Sequence, residues 1–556
     1  MGSVGGFHVN YGNNLSSLWY GEADVFMGIP FAEPPVGEKR FQMPVPIMEY
    51  PNRRVNATKF KAACVQPDMS ACSVQSEDCL YLNVITPNAN AVHKYPVMVW
   101  IHGGSFTGGC AAQFPVKGIV RNLVSRGVVV VTIQYRLNIP GFFTTSTDEF
   151  PANRGMLDQV EALRWVQNNI DYFGGNPYSV TIFGQSAGSI SVSAHTYSPL
   201  SQGLFQQGIM ESGALFTSLE GSLGTLNMSQ DRAFQLCNFT DQQWNNGDFA
   251  DLKSCMEKTE PSAWVNMDKG TLFGWRLLLD KCYLPDTPEK LNKKRPMIPM
   301  IIGNMRDEFA STWYYQMSEE GIPFEYFSAN FVKLVFDAWG TIYGDRIDDV
   351  WNIVKKSYVA KGTNDSDAAA WWIDSCTFFT AASFAQFAVQ DAIMYSAAGN
   401  KEIYLYEQTY GSRISHSEQA DEVTKKLGGY RPVPHSTELP YVFMYDGVWE
   451  SAISQNRTQP FDFELADWYG KMWTNFAQYG RPTLTEEWKS VESPSNLWHF
   501  NIENPEMNGM KMLKGYRDID LIVFTNAISK LIETSPPTFD REKLQKAKES
   551  LMRLKV

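Results

Sequence analysis

Short apolar runs bounded by Gly, Pro and Asn recur along this chain and alternate with stretches of helical spacing. Residues 7–31 read as β-rich, and Leu80 to Thr86 alternates as a half-buried strand does. Pro96 to Ile101 is an apolar strand that runs into His102-Gly103-Gly104. Val128 to Ile133, apolar but for Thr132, has the pattern of a parallel strand buried on both faces. Leu157, Val160, Leu163, Trp165 and Ile170 then follow a helical period over 156–170. Strands are expected again at 179–185, 208–211, 296–303 and 403–406. Helices are expected through Ile190, Val192 and Ala194, over much of 324–400, and at 463–479 and 516–533. Residues 220–290 are less regular. Alternation of this kind predicts an α/β protein with a large, mostly parallel central sheet covered by helices on both faces. The aromatic stripes around Trp339, Trp351, Trp371 and Trp372 are expected in the core.

No linker, repeat or low-complexity tract divides the chain, so residues 1–535 read as a single domain despite the length of 556 residues. The tail 536–556 carries Leu544, Ala547, Leu551 and Leu554 at three-four spacing and is expected to be an amphipathic helix docked on the body.

Hydrophobic residues at 44% and charged residues at 19% provide for a sizeable core. The net charge of −12 argues against nucleic acid or an anionic membrane as partner. No apolar run reaches the roughly 18 residues of a membrane-spanning helix. The first residues lack a signal peptide's basic and apolar regions. Eight cysteines without a Cys-x-x-Cys pair argue against zinc. Their even number, with sequons at Asn14, Asn56, Asn227, Asn238, Asn364 and Asn456, favours a secreted glycoprotein over a cytosolic protein.

The chemistry centres on Gly184-Gln185-Ser186-Ala187-Gly188, where a strand meets a helix. Such a turn holds its Ser in a strained conformation, clear of the sheet and at a helix N-terminus, while the glycines let helix and strand pass closely. A nucleophilic Ser needs a base, and the base needs an orienting carboxylate. Where the chain order is Ser, acid, His, the acid lies just past a sheet strand. Asp307 and Glu308 both follow the 296–303 strand. His435 lies in a Pro-rich loop past the 403–406 strand; His416 and His499 have no comparable setting.

The blocks Glu77 to Val84, Asn153 to Gln159, Phe173 to Pro177, Gly303 to Glu308 and His435 to Pro440, together with the turn at Ser186, resemble the type-B carboxylesterase/cholinesterase family along most of the chain. The resemblance implies an α/β-hydrolase fold with helical insertions over the active site, and a triad of Ser186, Glu308 and His435. It implies an oxyanion hole made by the N–H groups of Gly104, Ser105 and Ala187, although Ser105 departs from the usual Gly or Ala. It further implies disulfides Cys64–Cys79 and Cys237–Cys255, and buried ion pairs Arg40–Glu77 and Arg136–Asp158. Cys72, Cys110, Cys282 and Cys376 stay unassigned, with Cys72 placed to compete inside the first loop.

The implied activity is carboxylic-ester hydrolysis without metal or cofactor, by a monomer or homodimer. The choline-binding Trp of cholinesterases has no counterpart near Met69, and Gln185 stands where they carry Glu. Both departures favour a general carboxylesterase acting on neutral or hydrophobic esters. The alternative is a catalytically dead adhesion or structural relative; those usually lose a triad residue, and this chain has lost none.

Overall fold

The computed structural model describes the chain except for residues 68, 220–224, 269–273, 416–417, 508 and 538–556. Eleven strands among the described residues form one sheet. In chain order they are β1 (Phe7–Asn10), β2 (Glu22–Pro30), β3 (Tyr81–Thr86), β4 (Tyr95–Ile101), β5 (Val129–Ile133), β6 (Gly175–Gln185), β7 (Gln207–Glu211), β8 (Met300–Met305), β9 (Ile403–Gln408), β10 (Trp498–Ile502) and β11 (Lys511–Lys514). Across the sheet the order is β11-β10-β9-β8-β7-β6-β4-β5-β3-β2-β1. Pairing is parallel from β5 through β4 to β10, and antiparallel at both flanks. This is an α/β-hydrolase sheet.

Alternate residues of β4 show how it is covered. Val97, Val99 and Ile101 enter one core with Val160 and Val166 of the helix Arg154–Asn169 and Val192 of the helix Ala187–Tyr197. Met98 and Trp100 enter the opposite core with Leu465, Trp473 and Phe476 of the helix Pro460–Tyr479. Each such side chain, fully buried, contributes about 1.5–3 kcal/mol. A third cluster belongs to the helical excursion: Phe309, Trp313, Trp351, Trp371, Trp372 and Phe379 pack together, as core.

Several elements differ from the sequence reading. The strand read over 296–303 begins only at Met300, because Pro296 and Pro299 have no N–H to give a ladder. Residues 220–290 hold short helices, among them Thr225–Cys237 and Ala250–Met256. The helical stretch 516–533 is interrupted by a π segment at Leu521–Ile528. The tail 536–556, expected to be an amphipathic helix, lies outside the described residues from 538 onward.

Disulfides join Cys64 to Cys79 and Cys237 to Cys255. Cys72, read as a competitor inside the first loop, instead bonds Cys110, 38 residues on. A loop of that length removes about 4 kcal/mol of chain entropy from the unfolded state. Cys282 and Cys376 are free thiols. Arg40 grips Glu77 through two nitrogens at 2.6 and 2.7 Å. Arg136 grips Asp158 twice at 2.8 Å, with both side chains buried. Removing one partner of such a pair typically costs about 3–5 kcal/mol.

Candidate active site

Ser186 follows the last residue of β6 and caps the next helix, with φ 58° and ψ −123°. A non-glycine residue holds such angles only where its surroundings over-determine them. Here the Ser186 N–H donates to the Glu211 carbonyl at 2.9 Å, and the helix Ala187–Tyr197 starts at the next residue. The flanking glycines are required by contact. A Cβ on Gly188 would lie 1.9 Å from the Ile101 oxygen, and one on Gly184 would lie 2.6 Å from Gly188 backbone.

Glu308 and His435 meet from two loops. Glu308, fully buried just past β8, takes the Met305 N–H at 2.6 Å on Oε1 and faces His435 Nδ1 with Oε2. Asp307, the other carboxylate beside it, is engaged elsewhere. It accepts from the Tyr430 hydroxyl at 2.6 Å and the Val433 N–H at 2.9 Å, and so fixes the loop that carries His435. The His435 N–H returns to the Glu308 carbonyl at 3.3 Å. Gln185 lies against the His435 ring, which brings β6 to the same place, but no hydrogen bond joins Ser186 Oγ to His435.

The loop after β4 supplies donors. Gly104, Ser105 and Phe106 all have positive φ, at 110°, 56° and 60°. Gly103 is tight: a Cβ there would lie 2.9 Å from the Ser186 Cβ. Among the described residues, the N–H groups of Gly104, Ser105 and Ala187 have no hydrogen-bond partner. Ser105 and Ala187 line one cavity with Ser186, together with Phe106, Ile190 and Phe384 and the polar Thr217, Ser218 and Arg276.

Other histidines are placed for structure. Burial pushes His102 down to about 4 and His195 down to about 3, so both stay neutral near pH 7. His195 bonds Ser201 Oγ and Gln159 Oε1. Burial also lowers His499. His416 lies outside the described residues.

Phe384, which the sequence reading passed over, packs on His435 with ring centroids 4.7 Å apart. It projects from a π segment, Ala381–Ala385, a feature common at functional sites. Its only signal in the sequence was one more aromatic in an aromatic-rich helix.

The geometry has relatives. The family model described as "Carboxylesterase family" matches residues 2–518, and the chain belongs to that family. It is 30% identical to juvenile hormone esterase of Tribolium castaneum, over 97% of this chain and 91% of that protein. It is 32% identical to a medium-chain fatty acyl-CoA hydrolase precursor of Anas platyrhynchos, over 86% and 84%. It is 29% identical to gut esterase 1 of Caenorhabditis briggsae, over 89% and 88%. The protein is a carboxylic-ester hydrolase.

Proposed function

We propose that Ser186 is the nucleophile of this hydrolase and that the reaction runs through an acyl-enzyme. His435 takes the Ser186 proton, delivers it to the leaving alcohol, and then activates the water that releases the acid. Glu308 holds the imidazole in one tautomer and stabilises the imidazolium. The N–H groups of Gly104, Ser105 and Ala187 receive the developing oxyanion, a contribution of a few kcal/mol each. The observation that carries this reading is a strained Ser186 with three unpartnered N–H groups beside it and a bonded Glu308–His435 pair converging on the same strand end.

The substrates are neutral or hydrophobic esters. Phe106, Ile190, Trp275 and Phe384 make much of the cavity wall apolar, and one relative is named for a fatty acyl substrate. The same reading takes 1–535 as one catalytic domain, since the sheet draws strands from both its ends. It also takes the protein as extracellular, supported by three disulfides and by the exposure of all six sequon asparagines.

The test is hydrolysis of p-nitrophenyl esters of increasing acyl length, with covalent block by an organophosphate. Ser186→Ala should lose roughly 10⁴–10⁶ in turnover; a variant keeping a tenth of the rate overturns the assignment. The rate should also fall on acidification, because a protonated imidazole cannot take the Ser186 proton.

A further inference from the structure

Gln185 is the one side chain of the Ser186 turn that the mechanism above leaves unused. It is the last residue of β6 and only 3% exposed. Its Nε2 lies 3.0 Å from His435 Nε2 and 3.4 Å from His435 Nδ1. An atom that close to both ring nitrogens cannot lie in the ring plane without overlapping the carbon between them. The amide therefore sits over the face of the imidazole. Nδ1 stays in plane for Glu308, and the in-plane lone pair of Nε2 stays available to a hydroxyl.

The backbone of Gln185 is placed by its pairing in register with Glu211 of β7, and its Oε1 lies towards Gly103, where a Cβ would fall 3.3 Å from it. An amide N–H end carries partial positive charge. Against the face of a neutral imidazole it is attracted as in other N–H···π contacts; against an imidazolium it is repelled. A carboxylate in the same place would reverse the preference.

We propose that Gln185 is a positioning residue: its amide, stacked on the His435 ring, fixes the imidazole plane between Glu308 and Ser186 and opposes positive charge on that ring. The residue before the nucleophile then sets how acidic a solution the esterase tolerates. The inference rests on His435 acting as the base. The titratable groups around the ring are Glu308, bonded to Nδ1, and the buried carboxyls Glu211 and Glu438, which interact with one another and, through Glu438, with Glu308. All three are unchanged in the variants below, so each comparison isolates position 185.

The experiment is the pH profile of kcat/KM for p-nitrophenyl butyrate in wild type, Gln185→Glu and Gln185→Met, with folding checked by near-UV circular dichroism. Gln185→Glu should move the acid limb up by about one pH unit. Gln185→Met keeps the length without the dipole and should lower kcat about two- to fivefold at unchanged KM. A folded Gln185→Glu enzyme whose acid limb stays in place overturns the proposal. If that variant does not fold, a Gln185→Met enzyme with wild-type kcat overturns it. His435→Gln tests the underlying assignment separately: a variant retaining a tenth of the activity sinks the base itself, whatever position 185 does.

Discussion

Two buried polar regions lie near the helix Ala187–Tyr197, and they are built on opposite terms. In one, Asp391 accepts from Ser193 Oγ at 2.6 Å, Tyr197 hydroxyl at 2.7 Å and Arg295 Nη1 at 2.6 Å. Arg295 is sandwiched by Tyr395 and Tyr197, at 3.6 and 4.2 Å from the ring centroids, and also bonds Thr196 Oγ1. Every charge there has partners, and Coulomb attraction offsets the cost of burial. In the other region, beside Glu308 and His435, polar groups are left over. Among the described residues, both Glu438 oxygens, Glu211 Oε2, Ser212 Oγ and the Tyr406 hydroxyl are buried without a partner. Burial pushes Glu211 up to about 8 although Trp473 donates to it, and burial together with the neighbouring Glu211 and Glu308 charges also pushes Glu438 well above the usual carboxylate range. The first region spends its polar groups on holding the helix. The second holds acidic groups beside His435 at a cost in stability, as functional sites do.

That contrast can be broken from either side. The largest effect should come from Asp391→Ala, which strands a buried Arg295; about 3–5 kcal/mol of stability should be lost in denaturant unfolding. Ester turnover per folded molecule should stay close to wild type, and a large loss would show that the two regions are coupled. The next effect should come from Glu211→Gln. A carboxyl whose folded-state pKa is raised stabilises the fold fully below about pH 4.5 and loses that contribution as pH rises through about 8. The variant should therefore match wild type near pH 4.5 and be roughly 1–3 kcal/mol more stable near pH 9. Equal stability at both pH values would mean that Glu211 is charged throughout. The smallest effect should come from Ser193→Ala, about 1–2 kcal/mol and independent of pH between 5 and 9, since it removes one neutral donor from a network that keeps its charges paired.

Much of this was legible in the chain. Val128 to Ile133 and Pro96 to Ile101 gave away the parallel centre, because a strand covered on both faces must be apolar nearly throughout. The Gly184–Gly188 turn was legible because backbone contact forces both glycines. What failed to show depends on neighbours distant in sequence. β10 and β11, at the sheet margin, are Trp-His-Phe-Asn-Ile and Lys-Met-Leu-Lys, too short and mixed to stand out; β11 is the edge, where very short, charged strands are common. Asp307 and Glu308 look alike in sequence; Tyr430 and Val433 claim the first and leave the second to His435. The Cys72–Cys110 bond needed the loops after Cys64 and Gly109 to be placed side by side. Phe384 reaches His435 through a π segment that no apolar period announces.

That π segment carries a consequence for how the enzyme can be altered. It amounts to one surplus residue lodged within a helix. Excising a single codon between Ala381 and Ala385 would restore ordinary winding and leave the flanking turns, Ala368–Thr380 and Gln386–Ala397, in phase with one another. Only the residues of the segment itself would be displaced, Phe384 among them, so a deletion that conserves composition almost entirely would strip the imidazole of its aromatic neighbour.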